Sequence, residues 1–166
     1  RYLGDIGEIA QQSLKEMRLL VYQLRPLALE REGLIGALQA RLDSVEKRSG
    51  IEGRLLIEGQ LSNLPPAIEE GLFRIAQEAL NNALKHAAAR SVVVRDRSAD
   101  EKVTLEVRDD GRGSALLAAD RKGGLGLTSI RERVAQLNGA LTIESEPGQG
   151  TRVLVEVPRL MSAAAR

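Results

Sequence analysis

The chain has 166 residues, a net charge of +1 and a hydrophobic content of 43%, which together describe one ordinary globular domain able to bury a core. Aromatic residues make up 2% and cysteine is absent, so the core must be aliphatic, and disulfide scaffolds, thiolate zinc sites and cysteine nucleophiles are excluded. No basic tract alternates with aromatic residues and no apolar run is long enough to span a bilayer, so we expect neither nucleic-acid binding nor membrane contact by this chain.

The first predicted element is an amphipathic helix that ends at Arg25-Pro26, since proline disfavours helix in the residue before it. Its apolar residues follow three-and-four spacing at Leu3, Ile6, Ala10, Leu14, Met17, Leu20, Val21 and Leu24. One helix cannot bury so broad a stripe alone, so we expect either a homodimeric bundle or packing against the rest of the chain. The start at Arg1 is neither a signal peptide nor a start methionine. We interpret it as the start of an excised fragment, which leaves a targeting or membrane segment upstream open.

The rest of the sequence predicts alternating helices and strands. Helices are expected from about Glu32 to Arg48, from Pro66 to Ala89 and from about Leu125 to Leu137. Strands are expected at Ile51–Glu58, Ser91–Arg95, Val103–Val107, Ala140–Glu144 and Arg152–Val157. The second and third strands form one antiparallel hairpin, and the last two form another. This order predicts an α+β fold, a two-layer α/β sandwich in which helices cover one face of a mixed, mainly antiparallel sheet.

The predicted Pro66–Ala89 helix carries a polar face. Glu78, Asn82 and Lys85 stand at i, i+4 and i+7, so in a regular helix all three project from one side. An amide oxygen, together with phosphate oxygens and water, suits Mg²⁺, which prefers hard oxygen ligands. The simpler alternative is a solvated helix face. His86, the only histidine, stands at i+4 from Asn82, and a lone histidine more often packs or hydrogen-bonds than acts as a nucleophile.

Two glycine-rich segments flank the loop before the last predicted helix. Asp109-Asp110-Gly111-Arg112-Gly113 directly follows a strand, where glycine lets a ligand approach the backbone and a carboxylate could accept a hydrogen bond from the exocyclic amine of adenine. Gly123–Leu127 opens a helix, whose free amides bind anions. The simpler alternatives are an Asp-Gly turn and a flexible glycine linker.

A threonine begins the last predicted strand. Thr151 follows Gly150, and its hydroxyl is placed to reach a pocket beside Asp109. The alternative is the ordinary preference of threonine for strands.

Taken in order, these segments resemble the catalytic ATP-binding domain of bacterial sensor histidine kinases, of the two-component type that feeds nitrate/nitrite-type response regulators. Gln77–His86 resembles the N box of that family, Asp109–Gly113 its G1 box and Gly124–Leu127 its G2 box. Gly148–Thr151 is similar to its closing glycine-threonine strand. The resemblance implies the Bergerat-type ATP-binding fold of the GHKL superfamily.

The resemblance also implies ATP and Mg²⁺ as cofactors and assigns roles to particular residues. It implies that Asn82 ligates Mg²⁺, that Asp109 reads adenine and that Thr151 supports a water network there. The glycines expected to admit the base or contact phosphate are Gly111, Gly113, Gly124 and Gly126. Glu78, Lys85 and His86 are implied as N-box residues of the catalytic face, each with its own duty left open.

The same resemblance divides the chain and names its partners. Residues 1–26 would be the second dimerisation helix of a homodimer and residues 27–166 the catalytic domain, in a cytoplasmic protein or the cytoplasmic part of a membrane-bound sensor. The intact kinase would phosphorylate a histidine upstream of residue 1 and serve a response regulator, so we do not expect this fragment to phosphorylate itself. The alternatives are an anti-sigma-type serine kinase, another GHKL-fold ATPase, and a non-catalytic nucleotide-binding module.

Overall fold

The computed structural model describes residues 26–59, 61, 63–99, 101–113 and 125–159, without the side chains of residues 86, 87 and 125. The helices are α1 (Leu27–Ser49), α2 (Pro66–Asn82) and α3 (Leu125–Gln136). The strands are β1 (Glu52–Glu58), β2 (Ser91–Ala99), β3 (Lys102–Asp109), β4 (Ala140–Glu146) and β5 (Gly150–Pro158). The predicted N-terminal helix lies outside the described residues, and so does Gly124.

The strands form one mixed sheet in the order β1-β2-β3-β5-β4. β1 pairs with β2 in parallel, while the other neighbours are antiparallel. Both predicted hairpins are confirmed, and their strands are longer than expected. β2 continues to Ala99 instead of ending at Arg95, because the charged Asp96 and Arg97 remain in the pairing with β3.

Strand residues alternate between a buried face and an open face of the sheet. The buried face carries aliphatic side chains such as Val94, Leu105 and Val155, each at most 1% exposed, and α1, α2 and α3 pack with them into one core. The two-layer sandwich is therefore confirmed. No helix in the part of the chain that the structure describes combines the length and apolarity needed to cross a bilayer.

The open face of the sheet carries a row of ion pairs that crosses neighbouring strands. Arg95 pairs with Glu106 at 3.1 Å and lies 3.6 Å from Glu58. Arg152 pairs with Glu106 at 2.7 Å and with Glu144 at 2.9 Å. Positive and negative side chains thus alternate across this face and neutralise one another.

Helix α1 is divided by a kink at Gly33, whose φ is 66° and ψ is −173°. Glycine allows this conformation without a side-chain clash. The residues before it, from Leu27, form a short helical segment that the apolar periodicity did not predict. After the kink, Leu34, Leu38 and Leu42 are buried and give the regular pattern from which the helix was predicted.

Helix α2 does not continue regularly to Ala89, so that part of the prediction is wrong. It ends at Asn82 and passes into a π-helical turn at Ala83–Ala87. The N–H of Ala83 donates to the carbonyls of Ala79 and Leu80, which are the spacings of an α-helix and a 3₁₀-helix. A π-helical turn rotates the following residues relative to the α-helical register, so Lys85 no longer follows Asn82 at regular helical spacing.

Candidate functional site

Asp109, the last residue of β3, is a buried acid on the helix-covered side of the sheet, with 7% exposure. Its Oδ1 accepts a hydrogen bond from the N–H of Gly111 at 2.9 Å, and the backbone N–H of Thr151 also donates to its carboxyl group. The pKa of Asp109 is raised above its ordinary value, mainly by burial and also by the charge of neighbouring Asp110, while the two amides oppose the rise. The carboxyl group is thus held in one orientation while retaining capacity to accept a further hydrogen bond.

Asp110 has a different environment, although it is the next residue. Its Oδ1 accepts hydrogen bonds from the backbone N–H groups of Arg90 and Ser91, both at 2.8 Å, and its Oδ2 lies 3.0 Å from the Ser91 hydroxyl. The amide of Ser91 is the main cause that lowers the pKa of Asp110. Asp110 therefore fastens the end of β3 to the start of β2, a role that sequence reasoning missed.

The glycines after Asp109 pack closely against the β4–β5 turn. Gly113 has φ +59°, and a Cβ there would collide with the carbonyl of Glu146. Gly150 has φ +80°, and a Cβ there would collide with the carbonyl of Asp109. The N–H of Gly148 donates to the carbonyl of Arg112 at 2.7 Å. The loop and the turn therefore form one closely packed backbone unit beside Asp109.

Thr151 lies directly opposite Asp109 in the β3–β5 pairing, as its predicted position beside the acid requires. Its Oγ1 is 2.9 Å from the Oγ of Ser145, which is 5% exposed and also donates to the carbonyl of Gly150 at 3.3 Å. Sequence reasoning missed Ser145. The signal that would have found it is the register of the predicted β4–β5 hairpin, in which Ser145 pairs with Thr151.

Glu78 and Asn82 meet at the first turn of α3. A Cβ on Gly126 would collide with Oε1 of Glu78 and lie 3.1 Å from Oδ1 of Asn82. Both side chains are half-buried, whereas Lys85 is exposed. The predicted spacing of Glu78 and Asn82 is therefore correct, and Gly126 is the third member of this group. The side chain of His86 and the whole of Gly124 lie outside the described residues.

The side-chain oxygens of Glu78 and Asn82 are hard ligands, of the kind that Mg²⁺ binds in proteins. Across the residues described, no three His, Cys, Asp or Glu side chains cluster as a metal site. An ion held here would need most of its ligands from elsewhere, which fits Mg²⁺ bound together with phosphate oxygens and water. The residues present thus fit a metal that arrives with a nucleotide.

Residues 67–161 match the family described as histidine kinase-, DNA gyrase B- and HSP90-like ATPases. DegS, a signal transduction histidine-protein kinase/phosphatase of Brevibacillus brevis, is 34% identical over 94% of this chain and 40% of its own length. The sensor histidine kinase LiaS of Bacillus subtilis is 33% identical over 92% of the chain and 42% of its own. The chain therefore spans about two fifths of the length of these relatives.

Solved structures agree with these relatives. The histidine kinase domain of the blue-light activated kinase from Erythrobacter litoralis superposes with a TM-score of 0.63 at 26% identity, over 80% of this chain and 66% of its own. Full-length ShkA in complex with AMPPNP superposes with a TM-score of 0.64 at 27% identity, and the match covers 79% of this chain and 31% of the ShkA chain. The chain belongs to the family of histidine kinase-, DNA gyrase B- and HSP90-like ATPases, within which it is an ATP-binding domain of the sensor histidine kinase type.

Proposed function

We propose that the chain is the catalytic part of a two-component sensor histidine kinase, which binds Mg-ATP and donates the γ-phosphate to a histidine upstream of residue 1. The observation that carries the proposal is the meeting of Glu78 and Asn82 at Gly126, on the helix-covered side of the sheet that also carries Asp109. Residues 1–26 are proposed as the second dimerisation helix and residues 27–166 as the catalytic domain. Catalysis of this kind depends on positioning and charge neutralisation.

Asp109 is proposed to read the adenine base. Its carboxyl group is oriented by the amides of Gly111 and Thr151 and accepts a hydrogen bond from the exocyclic amine of adenine. Guanine presents a carbonyl acceptor at that position, so a carboxylate there disfavours it. Thr151 and Ser145 support water at this end of the site, and Gly111, which is buried, and Gly113 line the approach to the base.

The region around Gly126 is proposed to hold the phosphates and the metal. Asn82 ligates Mg²⁺, which when bound would neutralise phosphate charge. The amides at the start of α3, with Gly124 and Gly126, contact phosphate oxygens, because a helix N-terminus favours anions. Glu78 orients water or the metal shell, and the exposed Lys85 is available to the phosphates. His86 is proposed to support the N box.

The proposed partners and location belong to the intact protein. We infer a homodimer through residues 1–26, a cognate response regulator, and a cytoplasmic position for this domain, whether or not the intact protein is anchored in a membrane. The two relatives named above are described as histidine kinases, and each matches 92% or more of this chain. This favours the kinase over the anti-sigma-type serine kinase, other GHKL-fold ATPases and the non-catalytic module.

A transfer experiment in trans tests the proposal. This chain and Mg-ATP are mixed with the intact protein carrying Asn82→Ala, which retains the upstream histidine but has lost the proposed metal ligand. We expect acid-labile phosphate on the intact chain and none on the fragment. The matched control replaces the fragment with its own Asn82→Ala variant and should give no label. Failure of the fragment to bind ATP at millimolar concentration would refute the proposal.

A further inference from the structure

A side chain from α1 reaches the segment that carries the proposed metal ligand. The Nη2 of Arg41 donates a hydrogen bond to Oδ1 of Asn81 at 2.5 Å, in a half-buried contact between residues 40 apart in the sequence. Asn81 directly precedes Asn82. A hydrogen bond from a guanidinium is charge-assisted and stronger than one between neutral groups, so this contact ties α1 to α2 beside the proposed site.

The contact lies at the end of α2, next to a change of helix type. Asn81 is in the last α-helical turn, directly before the π-helical turn at Ala83–Ala87. A π-helical turn interrupts the regular α-helical hydrogen-bond pattern, and such turns are frequent at functional sites. A side-chain contact to Asn81 therefore restricts how the segment with Asn82 is oriented.

The part of α1 that carries Arg41 is closely packed. Its neighbours on α1, Leu38 and Leu42, are 0% and 1% exposed, and a Cβ added at Gly53 of β1 would lie 3.2 Å from Leu42. Helix α1 is thus packed closely on the sheet at the level of Arg41. Leu80 of α2 and Ala83 directly after it are also buried, with 0% and 4% exposure, so we expect loss of the contact to alter the half-buried Asn81 and Asn82 side chains and not the position of the helix.

We propose that Arg41 is a positioning residue: by holding Asn81 it fixes the direction of the Asn82 amide and so sets the magnesium-dependent part of nucleotide affinity. The inference rests on the proposed function. Groups that hydrogen-bond directly to metal ligands change metal affinity by about 10-fold to 100-fold when they are replaced, and because Arg41 acts through the residue next to the ligand, we expect the lower end of that range. Arg41 itself touches neither metal nor nucleotide in this proposal.

The test compares ATP affinity in Mg²⁺ with ATP affinity in EDTA, for the wild type, Arg41→Ala, Arg41→Lys and Asn81→Ala. We expect Arg41→Ala to lower the ratio of the dissociation constant in EDTA to the dissociation constant in Mg²⁺ by about 10-fold, with the dissociation constant in EDTA nearly unchanged. Arg41→Lys, which keeps the charge and one donor, should recover part of the ratio. The double variant Arg41→Ala/Asn81→Ala should lose no more than the larger single effect, since both remove the same contact.

Gln39→Ala is the matched control, because Gln39 makes an exposed side-chain hydrogen bond to Asp43 on the same helix at 2.7 Å. It should leave the ratio unchanged. An unchanged ratio in Arg41→Ala, or equal losses of affinity in Mg²⁺ and in EDTA, would overturn the inference. Circular dichroism identifies a variant that fails to fold; if Arg41→Ala does so, Arg41→Lys and Asn81→Ala decide. Absence of magnesium-dependent ATP binding in the wild type would instead refute the proposed function.

Discussion

Two regions of the sheet each bury an aspartate on the helix-covered face, but the two carboxyl groups differ in the hydrogen bonds that they accept. At one end, Asp109 receives the amides of Gly111 and Thr151. Four residues along β2 from Val92, the partner of Asp109, lies Asp96, with 0% exposure and neither carboxyl oxygen in a hydrogen bond within the described part of the chain. Burial raises the pKa of Asp96 to about 7, and the nearby amide of Arg97 offsets only part of the rise.

The difference shows that burial of an acid does not by itself identify a binding site. Asp109 lies beside a loop and a turn whose backbones pack closely together, and the amides of Gly111 and Thr151 orient its carboxyl group. Asp96 is paired across the strands with the apolar residues Ile57 and Leu105. A candidate ligand-reading acid is therefore distinguished by the backbone donors around it. The following variants test this distinction.

The largest expected effect is the pH dependence of stability caused by Asp96. Its pKa is about 7 in the folded protein, against 3.8 as the ordinary value. Between these values the folded state keeps a proton that the unfolded state has lost, so the free energy of unfolding falls as pH rises from about 4 to about 7 and levels off above. Each pKa unit corresponds to about 1.4 kcal/mol, so the titration of Asp96 lowers the free energy of unfolding by about 4 kcal/mol between about pH 4 and pH 7.

Chemical denaturation at several pH values measures this contribution as the difference between the wild type and Asp96→Asn. Asp96→Asn removes the titration while keeping a polar side chain, and Asp96→Leu removes both, so the pair separates the cost of charge from the cost of an unpaired polar group. Both variants should be more stable than the wild type at pH 8. Parallel pH profiles for the wild type and Asp96→Asn would show that the acid is not buried as described.

The next effect concerns the packed backbone beside Asp109. Gly150→Ala should lower the free energy of unfolding by about 3 kcal/mol, because it combines a positive φ of 80° with a Cβ that collides with the carbonyl of Asp109. Gly148→Ala is the matched control, since its φ is +81° and it has open space around it. It should cost about 1 kcal/mol. Equal losses in urea denaturation would mean that the close approach at Gly150 is unimportant.

A smaller effect is expected for the oriented acid itself. Asp109→Asn should weaken ATP binding by about 2 kcal/mol, or about 30-fold, because an amide pairs less well with the adenine amine than a carboxylate does. Discrimination between ATP and GTP should fall with it. Competition titrations with the two nucleotides measure both, and Asp96→Asn is the control that should leave them unchanged. Undiminished preference for ATP in Asp109→Asn would contradict the proposed role.

The smallest effect is predicted for Asp110→Asn. This substitution weakens the hydrogen bonds to the amides of Arg90 and Ser91 but leaves the environment of Asp109 in place. We expect a loss of about 1 kcal/mol in the free energy of unfolding and a change in ATP affinity of less than about threefold. A larger effect on binding than that of Asp109→Asn would reverse the roles given to the two acids.

Much of the fold could be predicted because its signals are local. Alternating apolar residues identified the strands, and the i, i+4 spacing of Glu78 and Asn82 correctly placed both side chains on one helix face. The end of β2 was predicted too early, because Asp96 and Arg97 have the polarity of a turn. Local pattern cannot show that pairing with β3 keeps such residues in a strand.

The parts of the site that sequence did not predict depend on contacts between distant segments. Asp110 accepts hydrogen bonds from backbone amides at the start of β2. Arg41 of α1 donates a hydrogen bond to Asn81 of α2. The π-helical turn after Asn82 separates Lys85 from the predicted face, and apolar periodicity does not distinguish it from a regular helix. The roles of the predicted site residues remain predictions for the experiments above.

The ion-paired open face has a practical consequence for those experiments. The chain has no cysteine, so one introduced at Thr142, an exposed position of β4 on that face, would be a unique attachment point for a fluorophore. The dye would lie on the opposite side of the sheet from Asp109, Asn82 and Gly126. Association of the labelled chain with a second chain could then be followed by anisotropy, because the complex rotates more slowly than the single chain and only one of the two chains carries the dye.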